Sequence, residues 1–179
     1  HDQPKLEPLE ASPIFQNGAG SRSLVEGTVA RGQLRQDKVF YTGLTPEDAF
    51  ATTLPIPLDR ELLERGQSRF NAFCSPCHGQ TGDGRGMVVQ RGFKNPTSFH
   101  DQRLIDRPVG YYFNAITNGF GQMSSYAAAI APADRWAIAA YVKALQLSQS
   151  IPVEQLSTEE REKVIAAAEA PAAGPQEGH

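Results

Sequence analysis

The sequence predicts an all-α fold, in which one helical domain lies between a long irregular N-terminal arm and a short C-terminal helical extension. Three observations lead to this prediction. Apolar residues recur at helical spacing in several windows of residues 59–147, and no window alternates apolar and polar residues as a half-buried strand would. The 16 glycines and 13 prolines among 179 residues are too many for a helical chain that is packed throughout. One compact domain with extensions fits this length.

Residues 1–58 are predicted to form the extended arm. Six prolines and five glycines interrupt any helix or strand there. The arm nevertheless carries more apolar and aromatic residues than a disordered tether requires. These include Phe15, Leu24, Val25, Val29, Leu34, Phe40 and Phe50. We therefore expect the arm to lie on the surface of a partner.

The helical domain is predicted to span residues 59–147, and its first helix begins at Asp59, an N-cap residue. Leu62, Gly66, Phe70 and Phe73 follow at spacings of four, four and three, which is typical of one face of a helix that runs directly into Cys74. The next segment, 79–92, carries five glycines and is predicted to be a loop.

Two further helices are predicted in this domain. The second opens at Pro108, a favoured first-turn residue, and stops at Asn118 and Gly119. After the glycine-rich stretch GFGQMSSY, residues 119–126, the third begins near Pro132 and Asp134 and carries Ala137, Tyr141, Ala144 and Leu145 on one side.

The C-terminal extension, residues 148–179, is predicted to hold one short helix. Ser157 and Glu160 have the spacing of a capping box, and the helix should run for about three turns to a point near Ala170. The last nine residues, PAAGPQEGH, have the composition of a disordered tail.

Charge and hydropathy restrict the classes of partner. The net charge is −3 and no run of Lys or Arg forms a stripe that could neutralise phosphates, so we expect no nucleic-acid binding. No stretch approaches the roughly 20 apolar residues of a membrane span. The sequence starts at His1 instead of Met, which leads us to expect that a leader has been removed and that the protein is exported.

Both cysteines and one of four histidines lie within the five residues CSPCH, Cys74 to His78. A structural zinc site needs four ligands, and this motif offers at most three with no second pair elsewhere. A redox dithiol is the stronger alternative, but that chemistry needs a helix that starts at the motif and lowers a thiol pKa, whereas here a predicted helix precedes Cys74. A thiolate at a helix C-terminus would be destabilised by the helix dipole.

Haem attachment accounts for all the motif positions. Cys74 and Cys77 could each form a thioether to the porphyrin, and His78 would then lie under the ring with its imidazole able to bind iron. A thioether sulfur is a common second axial ligand, and Met87 and Met123 are the only methionines. We favour Met123, in the Gly-flanked loop between the second and third helices, and expect Met87 to cover the haem edge. His100 is a further alternative.

These residues together resemble a class I cytochrome c. The resemblance covers Asp59 to Leu147 and includes CSPCH, Gly66 and Phe70 before it, a methionine loop, and a last helix with Trp136 and Tyr141. It implies one covalent haem c and a close crossing of the first and last helices through a small residue and aromatic partners, roles that are matched here by Gly66, Phe70, Ala137 and Tyr141. It also implies that a proline carbonyl, best matched here by Pro96, accepts the second ring proton of His78.

The arm carries a narrower resemblance. Residues 22–43, RSLVEGTVARGQLRQDKVFYTG, placed before such a domain, are similar to the monohaem cytochrome c subunit of bacterial alternative complex III, a quinol-oxidising membrane assembly. This implies docking on other subunits, with a multihaem cytochrome c as donor and an oxidase or another cytochrome as acceptor. It also implies a location at the periplasmic face of the inner membrane, through association or a lipid anchor.

The leading functional interpretation is one-electron transfer, with no substrate chemistry. The alternatives are a freely diffusing periplasmic cytochrome c, a haem enzyme or sensor in which Met123 leaves the iron open, and a thiol-disulfide oxidoreductase. Arg85, Arg91 and Lys94 follow the motif and are candidate contacts for the haem propionates or a partner, and Arg91 is our choice for the haem. Their alternative role is solvated surface charge.

Overall fold

The computed structural model describes residues 3–7 and 9–169, and this part of the chain is helical. It contains no β-strand, only isolated bridges such as Phe120 to Met123. The all-α prediction is therefore confirmed. The chain divides into two compact units, His1–Gln36 and Asp37–His179.

The N-terminal unit, residues 1–36, has no helix in its described part. A short antiparallel contact closes a loop, in which Ser12 N–H donates to the Gly18 carbonyl at 2.9 Å and Gly20 N–H donates to the Glu10 carbonyl at 3.1 Å. Arg22 covers the Phe15 ring at 4.2 Å from its centroid. Every residue from 21 to 36 is exposed.

The second unit contains the helices. They are α1 (Lys38–Thr42), α2 (Arg60–Phe73), α3 (Ser75–His78), α4 (Met87–Gln90), α5 (Gln102–Ile105), α6 (Val109–Asn118), α7 (Pro132–Ser148), a 3₁₀ turn (Val153–Gln155) and α8 (Thr158–Glu169). The helices expected from the sequence correspond to α2, α6, α7 and α8. None of the helices in the described residues is long and apolar enough to cross a membrane.

The core lies where α2 and α6 pack against α7. Phe70, Phe113, Trp136 and Ile138 are almost completely buried, and the Phe113 and Trp136 rings stack with centroids 4.3 Å apart. α2 approaches α7 at Gly66, where an added Cβ would overlap the carbonyl group of Ala137. The small residue and its partner on α7 therefore lie together, as the resemblance implied.

The last part of the expected arm, residues 37–58, packs with the helices in the structure. Residues 37–58 belong to the helical unit. Asp37 caps α1 by accepting from Phe40 N–H at 2.9 Å, and the Trp136 indole N–H donates to the Phe40 carbonyl at 2.8 Å. Ala51 is buried, and its carbonyl accepts from Gly110 N–H at 2.8 Å. The prolines and glycines shorten the secondary structure here without preventing tertiary packing.

The segment 79–92 is also not a plain loop, because α4 lies within it. Gly86 precedes α4 and has no side chain, so the backbone passes directly over Pro76 and Cys77, where an added Cβ would overlap the Pro76 carbonyl. Residues 171–179, the expected disordered tail, lie outside the described residues, as does Ala170 at the expected end of α8.

Candidate functional site

The cysteines and the histidine of CSPCH lie on a single helical turn. α2 ends at Phe73, and Cys74 N–H donates to the Phe70 carbonyl at 2.8 Å. α3 then begins at Ser75, and the N–H groups of Cys77 and His78 donate to the Cys74 carbonyl at 3.2 and 2.9 Å. All three side chains are half-buried. The end of the long helix α2 and the short helix α3 that follows it therefore fix the two thiols and the imidazole relative to one another.

The two thiols are not bonded to each other. Burial, with a smaller contribution from Cys77, raises the pKa of Cys74 to about 12. α3 does begin directly after Cys74, which the sequence did not predict, yet the thiol remains protonated at neutral pH. A nucleophilic cysteine needs a lowered pKa, so this environment disfavours a dithiol oxidoreductase.

The His78 imidazole is held neutral and flat against an aromatic ring. Burial lowers the pKa of His78 to about 4, so the imidazole is neutral at neutral pH and one of its two ring nitrogens has a free lone pair for a metal. The His78 and Phe99 rings stack with centroids 4.5 Å apart and 12° between their planes. Phe99 is itself held by Gln146, whose amide donates to the Phe99 carbonyl at 2.7 Å.

Nδ1 of His78 is buried and has no hydrogen-bond partner among the described residues. Pro96 nevertheless lies close by. Gly84 N–H donates to the His78 carbonyl at 2.8 Å, and an added Cβ on Gly84 would overlap the Pro96 carbonyl oxygen. Because an unpaired buried polar atom is costly, Nδ1 is a site at which a partner is required. The role of Pro96 as that partner stays a prediction.

Met123 lies in the loop between α6 and α7. Phe120 and Met123 exchange both backbone hydrogen bonds, at 2.9 and 3.0 Å, and Met123 packs half-buried against the same core cluster as Cys74. Met87, the first residue of α4, is 55% exposed. Nε2 of His100 is 2.7 Å from the Thr81 carbonyl, an interaction that occupies this ring nitrogen. Met123 therefore has the placement most suited to a ligand, and its coordination of iron stays a prediction.

Two aromatic residues near the motif were not predicted as part of the site. Tyr126, at the end of the Met123 loop, lies near both thiols, since burial first and then Cys77 and Cys74 raise the pKa of its phenol. Phe99, which stacks on His78, is the second. Both are separated from the motif by more than 20 residues, and no spacing rule in the sequence connects them to it.

The basic residues after the motif lie on the surface. Arg91 is exposed at the end of α4, where its backbone N–H donates to the Val88 carbonyl at 3.2 Å. The Arg85 guanidinium pairs with Asp83 at 3.0 Å. Lys94 is exposed. Among the residues that the structure describes, no hydrogen bond or ion pair joins Arg91 to Cys74, Cys77 or His78, and its role at the haem stays a prediction.

The donor set fits a covalently bound haem better than a metal ion alone. Within residues 3–7 and 9–169, no three His, Cys, Asp or Glu side chains cluster so that they could hold a metal ion. Two adjacent thiols, a neutral imidazole with an unsatisfied Nδ1 and a half-buried thioether are instead the groups that attach and ligate a c-type haem.

Residues 61–142, a little under half of the chain, match the family model described as cytochrome c oxidase, cbb3-type, subunit III. This match and the helical fold support a class I cytochrome c domain and a role in haem-based electron transfer. No curated protein matches the chain significantly.

Among solved structures, a chain of the reducing HAO-like protein complex of Kuenenia stuttgartiensis is similar at 23% identity, with a TM-score of 0.46. The match covers 60% of this chain and 54% of that one. The chain thus spans little more than half the length of this neighbour.

Proposed function

We propose that the cytochrome c domain of this chain is a one-electron carrier with a single haem c, held by Cys74 and Cys77 and ligated by His78 and Met123. The observation that carries this proposal is the single turn of α3 with its N-cap Cys74, which presents both thiols and a neutral, half-buried imidazole beside the core cluster against which Met123 packs. When bound, the haem supplies a ferric/ferrous couple.

The residues of the chain perform three tasks in this proposal. Cys74 and Cys77 attach the group permanently, so that it survives partner exchange. His78 binds iron through one nitrogen while Nδ1 donates to an acceptor, for which the Pro96 carbonyl is our candidate. Phe99 restricts rotation of the imidazole by stacking on it. A fixed ligand orientation keeps the two oxidation states similar in structure, which suits electron transfer.

Ligation by both His78 and Met123 would exclude oxygen or peroxide from the iron, so the domain would transfer electrons without transforming a substrate. The alternative is an open iron, as in a peroxidase or sensor. The absorption spectrum of the oxidised holoprotein distinguishes iron ligated by both residues from open iron. Sulfur ligation gives low-spin iron with a weak near-infrared charge-transfer band, whereas a high-spin spectrum would contradict electron transfer as the main role.

Covalent attachment is tested by expressing the chain with a c-type haem maturation system and denaturing the product. We expect the haem to remain bound to the polypeptide in the wild type and to be lost when Cys74 and Cys77 are both changed to Ala. A Ser75→Ala variant is the matched control. Ser75 lies between Cys74 and Cys77, and its hydroxyl donates to the Asn71 carbonyl. A colourless wild type with two titratable thiols would contradict the proposal.

At a finer level, we propose that the chain is a subunit of a quinol-oxidising membrane assembly of the alternative complex III type. Electrons would come from a multihaem cytochrome c subunit and pass to an oxidase or another cytochrome, at the periplasmic face of the inner membrane. The resemblance of residues 22–43 supports this, as do exposed apolar residues in the N-terminal unit, among them Leu24 at 92% exposure. A freely diffusing cytochrome has no evident use for such residues.

A further inference from the structure

The loop that carries Met123, residues 119–126, is fastened to the end of α6 at two points besides its internal bridge. Tyr126 N–H donates to the Ile116 carbonyl at 2.9 Å. The Ser125 hydroxyl donates to the Thr117 carbonyl at 2.5 Å. Ser125 therefore satisfies one of the last carbonyls of α6, which have no partner within the helix.

Thr117, which accepts the Ser125 hydrogen bond through its carbonyl, is also bonded to α7 through its side chain. Its hydroxyl donates to the Phe113 carbonyl at 2.7 Å and accepts from Arg135 Nη1 at 2.5 Å. The Arg135 guanidinium also lies over the Phe113 ring, 5.0 Å from its centroid. Arg135 is only 5% exposed and is the charged residue most deeply buried in the described core.

A hydrogen bond from a buried guanidinium is stronger than one between neutral groups, and water cannot replace it. Arg135 is placed by α7, which forms the centre of the core, and Thr117 by the last turn of α6. The Met123 loop is thus attached, through two side-chain hydrogen bonds in series, to the most rigid part of the domain.

We propose that Arg135, Thr117 and Ser125 form a positioning link that holds Met123 in place as an iron ligand and resists its displacement. This inference rests on the proposed ligation by Met123. The three residues do not touch the iron; they act through the loop. Breaking the link should let the loop move away, so that an external ligand competes more effectively for the sixth coordination site.

The test uses the full-length holoprotein with the variants Thr117→Val and Ser125→Ala, because truncation of buried Arg135 risks the fold. Imidazole is titrated into the oxidised protein, and its binding is followed by loss of the near-infrared sulfur–iron band. We expect each variant to bind imidazole about fivefold more tightly, which corresponds to the ~1 kcal/mol of one hydrogen bond.

Two controls accompany these variants. Thr117→Ser keeps the hydroxyl, and Ser124→Ala changes an exposed serine next to Ser125 for which no side-chain hydrogen bond is described. Both should bind imidazole within about twofold of the wild type. Denaturant unfolding of every variant is measured in parallel. If Thr117→Val does not fold, Ser125→Ala alone carries the test.

The outcomes are distinct. Unchanged imidazole affinity in Thr117→Val and Ser125→Ala, with the sulfur band present, would overturn the link, and so would a lowered unfolding midpoint with unchanged affinity. A wild-type protein without the sulfur band would overturn the ligation by Met123 in the proposed function, and the link with it.

Discussion

Gly66 is the residue on which the contact between α2 and α7 depends most directly. It is buried, and an added Cβ would overlap the Ala137 carbonyl group and come within 2.9 Å of the Tyr141 Cβ. Backbone atoms cannot rotate away as a flexible side chain can. The two helices can therefore approach this closely only if position 66 has no side chain.

We expect Gly66→Ala to destabilise the domain by about 1–3 kcal/mol, although alanine is the better helix former, because overpacking outweighs helix propensity here. Denaturant unfolding followed by circular dichroism measures the change. Ser68→Ala, on the exposed side of the same helix, should change stability by less than about 0.5 kcal/mol. A Gly66→Ala variant as stable as the wild type would show that the helices separate at little cost.

The two methionines differ in environment, and this difference predicts different roles. Replacing Met123 with Leu keeps the apolar volume but removes the sulfur, so we expect the near-infrared band to disappear and the reduction potential to fall. Met87→Leu should leave both unchanged, because Met87 lies largely exposed on α4. Loss of the band in Met87→Leu, with its retention in Met123→Leu, would reverse the ligand assignment.

At the scale of elements, the long helices were predictable and the short ones were not. α2, α6 and α7 run for 14, 10 and 17 residues, long enough for an apolar face to repeat. α1, α4 and α5 have five or four residues each, too few to show a period or to be stable alone. These short helices are stabilised by tertiary contacts, and such contacts cannot be predicted from the local sequence pattern.

The residues of the candidate site likewise divide into those that the sequence predicted and those that it did not. Cys74, Cys77 and His78 were predictable because they are adjacent in the chain and their chemistry depends on that adjacency. Phe99 and Tyr126 reach the motif only after the chain folds back on itself. The packing of residues 37–58 in the helical unit was not predicted for the same reason, since the contact between Phe40 and Trp136 joins residues 96 positions apart.

That contact gives a prediction for α1 and α7. Trp136→Phe keeps an aromatic ring against Phe113 but removes the indole N–H that pairs with the Phe40 carbonyl. We expect a loss of about 1–3 kcal/mol in unfolding free energy, since a part-buried carbonyl is left without its donor. Circular dichroism must be the probe, because Trp136 is the only tryptophan. An unchanged unfolding midpoint would show that water replaces the indole N–H as hydrogen-bond donor to the Phe40 carbonyl.

At the scale of the whole molecule, residues 1–36 and residues 37–58 differ in whether they contribute to the core of the helical unit. Residues 37–58 contribute α1, the buried Ala51 and part-buried Leu54 and Ile56 to the unit with the CSPCH motif. Residues 1–36 form a separate unit, in which Leu9, Ile14, Leu24, Val25 and Leu34 are all exposed. Residues 37–58 therefore help to fold the helical unit, and the docking that we propose is expected of the first 36 residues.

Two deletions separate these roles. If the proposed docking on a membrane assembly holds, removing residues 1–36 should leave the haem spectrum and the unfolding midpoint of the holoprotein unchanged, but shift the protein from the membrane fraction to the supernatant, because the exposed apolar groups are lost. Removing residues 1–58 should also lower the midpoint, because the Phe40 carbonyl and the segment containing Ala51 are lost from the core. Spectra, unfolding curves and fractionation of cells that make each form measure these effects. If the protein that lacks residues 1–36 stayed in the membrane fraction, the docking contacts would lie in the helical unit instead.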